Sequence, residues 1–318
     1  MDAVGTAQQL ADDVLFPAAL ATDAADAAPA ELLDALADAG LYGIRAEADF
    51  ATVCAVQEAL ASGCLTTAFL WAQHLGLVHA IASSSDEALR STWLERLRRG
   101  DVRAGLALGG ALPQPTLHAT ASEGGFVLDG VSPFLSGWGL VDVVHAAART
   151  ADGEIVWTIV DAAEGDSLRV DRLSLVALNA TVTVRATFDG LRVPADRVTG
   201  RHPVGGGTPP EGLRLRAALA LGVAARCCRL LGPTPLDEEL AACRAELDRL
   251  DPATIAAERA YAGELAVRAA AALMTATGSR SLLLSDHAQR LAREALFVLV
   301  YALRPESRAA LLVRLGAT

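Results

Sequence analysis

The sequence predicts a mostly helical protein with a small antiparallel β domain set between two helical blocks. Three observations lead there. Of the 318 residues, 52% are hydrophobic but only 4% aromatic, and alanine and leucine carry most of the apolar content; that balance favours packed helices over an all-strand design. Apolar residues recur at helical spacing toward both ends of the chain. Between residues 102 and 200 the period shifts toward two, in short β-branched runs. A chain of this length exceeds one compact core. The expected division is a helical domain over residues 1–101, a β domain over 102–200, a linker over 201–212 and a helical bundle over 213–318.

In the first block, Leu32, Leu33, Leu36 and Ala37 and then Leu60, Leu65, Phe69 and Leu70 fall on helical faces. Gly40 and Gly43 bracket Leu41 and Tyr42 as a helix stop. A later helix opens on Ser85, Asp86 and Glu87 and closes on Arg96, Arg98, Arg99 and Gly100, which matches the polarity of the helix dipole. In the middle block, runs at 125–128, 143–148, 155–160 and 182–188 read as strands. Gly124-Gly125 and Asp152-Gly153 read as hairpin turns. The glycines and prolines of 201–212 have no framing strand or Gly-Lys pair, so they read as a linker rather than a phosphate cradle. Pro233, Pro252 and Pro305 then sit at or near helix starts, giving four or five bundled helices.

Composition excludes several classes. A formal charge of −11 offers no positive footprint for a nucleic acid. The chain contains no lysine, which removes Schiff-base and lysine-nucleophile chemistry. Five cysteines at positions 54, 64, 227, 228 and 243 have no metal-ligand spacing and read as buried free thiols. The histidines likewise lack ligand spacing, so no metal is expected; His74 and His79, in an apolar helical segment, read as helix or core residues. Residues 1–28 carry aspartates and no basic start, unlike a signal peptide, and no apolar run is long enough for a membrane span. A cytoplasmic location is expected.

Against this frame, four segments in the same order resemble the acyl-CoA dehydrogenase family. They are ELLDALADAGLYGI (31–44), SSSDEALRSTWLERLRRGD (83–101), FDGLRVPADRVTG (188–200) and QRLAREA (289–295). The resemblance implies three parts, an N-terminal helical domain, a central β-barrel-like domain and a C-terminal bundle, with FAD as cofactor. It implies that two strand segments hold the flavin, here GLALGG (105–110) and SPFLSGWG (132–139). Leu106, Leu108 and Gly109 would line the pyrimidine edge, Phe134 would pack on the ring system, and Ser136 would replace the family's usual Thr hydroxyl facing the reactive nitrogen. Read without the family, Phe134 and Leu135 are ordinary strand core and Ser136-Gly137 an ordinary turn. GSRS (278–281) resembles a turn that approaches the flavin's adenine end, which makes Arg280 either a cross-subunit cofactor contact or a solvated turn arginine.

The sequence departs from the family where chemistry is concerned. Family members abstract an α proton with a Glu that follows a Tyr shortly after the arginine motif. The matching triplet is Tyr301-Ala302-Leu303, and the alternative family position falls near Leu215. Neither holds a carboxylate. Glu294 fills an arginine-motif place and is expected to pair with an Arg, while Glu211 and Glu306 read as helix-start acids. The family's Thr-Glu-Pro is Gly109-Gly110-Ala111 here, and its Arg-x-x-Phe-Gly hairpin has no counterpart in 233–252. This short, Glu-lacking chain resembles the smaller partner subunits of α2β2 steroid-degradation acyl-CoA dehydrogenases. The resemblance implies a longer homologous partner that brings the Glu, and as substrate an acyl-CoA thioester of a steroid (cholesterol) ring fragment. The alternatives are a flavin-dependent monooxygenase, a non-catalytic stabilising subunit, or a dehydrogenase whose acid comes from another position.

Overall fold

The computed structural model describes residues 2–205 and 208–317, so Gly206 and Gly207 of the expected linker lie outside the described residues. Helix α1 (Ala3–Leu10) is capped by the Asp2 carboxylate, which accepts from the Gly5 N–H at 2.9 Å. One π turn (Ala11–Leu15) joins it to α2 (Phe16–Ala24). These two helices were not legible in the apolar pattern, because the extra residue of the π turn breaks the 3.6-residue register. Helices α3 (Ala30–Asp38), α4 (Ile44–Glu47), α5 (Phe50–Gly63), α6 (Leu65–Ala82) and α7 (Glu87–Arg99) complete the block. Gly40 ends the run after α3 at φ 70° and Gly100 closes α7 at φ 74°, both left-handed, as the stop signals predicted. Helices α5 and α6 are apolar on nearly every face and run through the interior.

Eight strands follow: β1 (Ala104–Ala107), β2 (Leu117–Ser122), β3 (Gly125–Leu135), β4 (Val143–Arg149), β5 (Glu154–Asp161), β6 (Leu168–Arg172), β7 (Val184–Pro194) and β8 (Val198–Pro203). Their order is β6-β7-β3-β2-β4-β5-β8, with β1 beside β4. The glycine turns at 124–125 and 152–153 join β2 to β3 and β4 to β5. The sheet is mostly antiparallel, as the sequence predicted, with a parallel exception at β1. Strand β1 pairs with β4 in parallel, Ala104 beside Val143, because the chain enters from α7 and runs alongside a strand formed much later. The expected linker also shrinks. Gly200 and Arg201 stay in the ladder with β5, and the Arg201 guanidinium binds Glu154, so the sheet continues to Pro203 and α8 starts at Pro210.

The bundle comprises α8 (Pro210–Leu231), α9 (Pro235–Asp248), α10 (Ile255–Thr277), α11 (His287–Val300) and α12 (Pro305–Arg314). A capping box between Thr234 and Asp237 starts α9. Helix α8 crosses α5 at Gly222, where a Cβ would stand 2.4 Å from the Glu58 carbonyl oxygen. Through that crossing the N- and C-terminal helices share one core, while the sheet keeps a second. Among the described residues no helix is long and apolar enough to cross a membrane. The five cysteines are buried and free.

Candidate functional site

The two sequence segments proposed to hold a cofactor lie side by side. A Cβ on Gly105 would stand 3.1 Å from the Ser136 carbonyl oxygen, and one on Gly109 only 2.5 Å from that of Val131, so glycine is what permits the approach. His74 of α6 fastens this corner. Its Nδ1 accepts from the Ala104 N–H at 3.1 Å, which leaves the ring proton on Nε2, donated to the Leu97 carbonyl at 3.0 Å. Burial pushes its pKa down to about 3, so it is a neutral structural pin between α6, α7 and β1. The cavity beside it, lined by Leu33, Tyr42, Leu70 and Arg103, measures about 10 Å³ and has room for one water, not an acyl chain.

At the end of β3, Phe134 is 63% exposed, and Leu106 and Leu108 are half-buried. Ser136 is 8% exposed and its hydroxyl is committed inward. Thr181 Oγ1 donates to the Leu178 carbonyl at 2.7 Å, so the 2.8 Å bond between Thr181 and Thr183 must carry the Thr183 proton. The 2.7 Å bond between Thr183 and Ser136 must then carry the Ser136 proton. Toward a ligand Ser136 therefore offers lone pairs, whereas the hydroxyl that the resemblance implies facing the reactive nitrogen would be a donor. Leu178 (φ 56°) and Val182 (φ 47°) are both left-handed, which is costly for a β-branched residue. The strained segment between them also receives the Gly137 and Trp138 N–H groups, at 2.7 and 3.3 Å.

The place where the resemblance implies a base is the loop after α11. Ala302 sits there at φ 48°, half-buried, with no acid of its own. Leu215, the alternative position, is half-buried, and its carbonyl accepts from Gln57 at 2.7 Å. Of the nearby acids, Glu294 is 3% exposed and bound to Arg290 at 2.5 Å within α11, with burial raising its pKa. Glu211 and Glu306 are exposed in the first turns of α8 and α12. Arg280 is exposed and its Nε donates to Asp286 at 3.0 Å.

What surrounds Ala302 instead is cationic and aromatic. Arg216 Nη1 donates to the Ala302 carbonyl at 3.4 Å, and Arg259 Nη2 donates to the carbonyls of Val298 and Tyr301 at 2.7 and 3.2 Å. Phe69 stands edge-on to Tyr301 and Phe297, with centroids 4.9 and 5.1 Å away. Sequence reading missed the Thr181–Thr183 relay and these arginines. For the arginines a signal existed: neither Arg216 nor Arg259 has an acid three or four residues away on its helix.

Two helical blocks around an eight-stranded sheet of this order constitute the acyl-CoA dehydrogenase fold. Residues 3–101 match the family model described as acyl-CoA dehydrogenase, N-terminal domain. Comparison with curated proteins gives no match. Among solved structures, a glutaryl-coenzyme A dehydrogenase in complex with glutaryl-CoA is 16% identical with a TM-score of 0.85, over 99% of this chain and 95% of that one. A glutaryl-CoA dehydrogenase from Mycobacterium smegmatis in complex with FADH2 is 19% identical with a TM-score of 0.79, over 100% and 94%. A dibenzothiophene monooxygenase from Paenibacillus sp. A11-2 is 16% identical with a TM-score of 0.79, over 100% and 98%.

Proposed function

We propose that this chain is one subunit of an FAD-dependent acyl-CoA dehydrogenase whose base comes from a longer homologous partner in an α2β2 assembly. The observation that carries the reading is the combination of a ligand-ready sheet corner with a base-less loop. Exposed Phe134 and half-buried Leu106 and Leu108 offer an apolar seat for a planar ring, which fits FAD. Gly109 provides close approach of main chain there, and Arg280, exposed at a turn and held to Asp286 through Nε, has its terminal guanidinium groups left to meet a cofactor held by a neighbouring subunit. FAD would supply a hydride acceptor for α,β-dehydrogenation, and the reaction also needs a carboxylate to take the α proton. Ala302 cannot take it, and Glu294 is tied to Arg290. The substrate we propose is the CoA thioester of a steroid ring-degradation intermediate; that choice rests on sequence resemblance alone.

The test is to purify the chain alone and after co-expression with a longer homologue of the same fold, and to compare FAD per protein by absorbance. FAD that appears only in a stable mixed tetramer supports the proposal. A second reading, a homo-oligomeric flavin-dependent monooxygenase, is favoured by the base-less loop together with the monooxygenase among the structural relatives. A yellow homo-oligomer that consumes oxygen with reduced flavin would establish that reading instead. A chain without flavin that only keeps its partner soluble would overturn both.

A further inference from the structure

Among the described residues, the buried arginines are paired with acids in every case but one. Arg214 binds Asp248, Arg226 binds Asp12, and Arg290 binds Glu294. Arg259, 2% exposed, has no carboxylate partner among the described residues, and its Nη1 has no partner of any kind. Its neighbours repeat the anomaly. Arg216 lies within electrostatic reach of both Arg259 and Arg304. Thr208 Oγ1 accepts from Arg304 Nε at 2.9 Å and from Arg216 Nη1 at 3.5 Å, one neutral hydroxyl between two like charges. Neither Arg216 nor Arg304 forms an ion pair within the described residues, although the chain carries a net charge of −11.

Two further features add positive potential at the same place. Arg304 is the N-cap of α12, and Thr208 precedes Pro209, the N-cap of α8. Both helices begin on proline without a side-chain cap, so two positive dipole ends converge where Arg304 meets Thr208; the one first-turn acid of each, Glu211 and Glu306, is exposed and pairs with neither Arg216 nor Arg304 among the described residues. In the first turn of α12, Ser307 Oγ is 1% exposed and unpartnered. The carbonyls of Val298 and Tyr301 account for Arg259 Nη2 as a helix C-cap, but not for the other guanidinium groups. Burial disfavours the charged form of Arg216 and of Arg259, whose pKa is pushed down to about 10; the Tyr301 phenol partly opposes this, but no carboxylate pairs with either arginine among the described residues. An acid from outside would complete the cluster.

We propose that Arg216, Arg304 and Thr208, backed by Arg259, form a subsite for the oxyanion of a small acidic ligand. The planar guanidinium forks suit a carboxylate or a phosphate group, bound bidentately. Arg216, Arg304 and Thr208 are only half-buried, so such a group can reach them. The subsite adjoins Ala302 on the loop from Tyr301 to Arg304, but anion binding there is read without flavin or turnover, so it can fail or succeed apart from the proposed dehydrogenation.

The test is thermal unfolding of the full chain in inorganic phosphate and, separately, in succinate, each against chloride of matched ionic strength. At tenfold excess over its Kd an occupied site raises Tm by about 2 °C. The rise is expected in the parent and in the control variant Arg99→Gln, an exposed arginine of α7, and is expected to vanish in Arg216→Gln and in Arg304→Gln. A larger rise in succinate assigns the site to a carboxylate, and a larger rise in phosphate to a phosphate group. No rise in the parent in either anion, or an undiminished rise in both arginine variants, would overturn the subsite. Titration of phosphate and succinate by calorimetry provides a second readout if a variant's own Tm moves.

Discussion

Arg290 and Glu294 face each other across one turn of α11, Nη1 to Oε1 at 2.5 Å, and both side chains are almost fully enclosed. The pair also leaves Arg290 Nη2 and Glu294 Oε2 unpartnered. Its place in the core removes Glu294 from consideration as a free base and makes it a structural charge. Arg290→Met should cost about 3 to 5 kcal/mol, because it strands a buried carboxylate, while the double change Arg290→Met with Glu294→Met should lie near the parent. Urea unfolding of the three proteins measures this. Equal losses in the single and double variants would show that packing, not charge, dominates there.

The hydroxyl chain from Ser136 through Thr183 to Thr181 predicts an asymmetry between its ends. Thr183 accepts from one hydroxyl and donates to another, both at buried positions. Thr183→Val should therefore cost about 1 to 3 kcal/mol, because it leaves two buried hydroxyls short of a partner. Ser136→Ala removes only the first donor of the chain and should cost less than half as much. Denaturant midpoints of the two variants decide it; a greater loss in Ser136→Ala would mean that the relay runs the other way.

Legibility from sequence divided along physical lines. Helix starts and stops such as Asp86 and Gly100, and turns such as Gly124-Gly125, were readable because they depend on residues adjacent in the chain. The parallel pairing of β1 with β4 and the Thr183 bond to Ser136 were not, because each joins positions about 40 or more residues apart without a local signal. The two segments at 105–110 and 132–139 were picked out by resemblance, and the structure brings them together at Gly105 and Ser136. Ala302 was visible as a missing acid, but the arginines around it required the fold.

Two glycines should respond oppositely to the same substitution. Gly222 sits where α8 touches the α5 backbone, so Gly222→Ala forces the helices apart and should cost about 2 to 3 kcal/mol. Gly76 lies exposed inside α6 with open space where a Cβ would go. Gly76→Ala should stabilise by about 0.5 to 1 kcal/mol by removing the unfolded-state freedom of glycine in a helix. Thermal midpoints should fall for the first variant and rise for the second.

His74 and His145 are both buried and held neutral, each with its pKa pushed down to about 3 by burial from an ordinary 6.5. A base with a depressed folded pKa contributes stability that is complete above its unfolded pKa and is lost as pH falls. The window therefore runs from about pH 6.5 downward toward pH 3. Unfolding free energy should drop by up to about 1.4 kcal/mol per pH unit for each histidine below pH 6. His145→Phe keeps an aromatic ring against Trp157 and should remove about half of that slope. Urea titrations at pH 7.5, 6 and 5 would test it, and an unchanged slope in the variant would assign the acid sensitivity elsewhere.

The proposed base-less loop makes a direct prediction for Ala302→Glu. The new carboxylate would stand beside Arg216, whose guanidinium already reaches the residue's carbonyl, and the neighbouring cations would favour its ionised form. If Ala302 holds the place from which relatives draw the α proton, the variant loaded with flavin should dehydrogenate an acyl-CoA at least tenfold faster than the parent chain alone, within the 10² to 10⁴ range of general-base contributions. Ala302→Gln, similar in size but unable to take a proton, should show no gain. Single-turnover bleaching of the flavin by an acyl-CoA separates the two variants. Equal rates in Glu and Gln would mean that the loop after α11 does not face the reacting carbon in this protein, and that the partner's carboxylate, wherever it enters, is not replacing one lost at position 302.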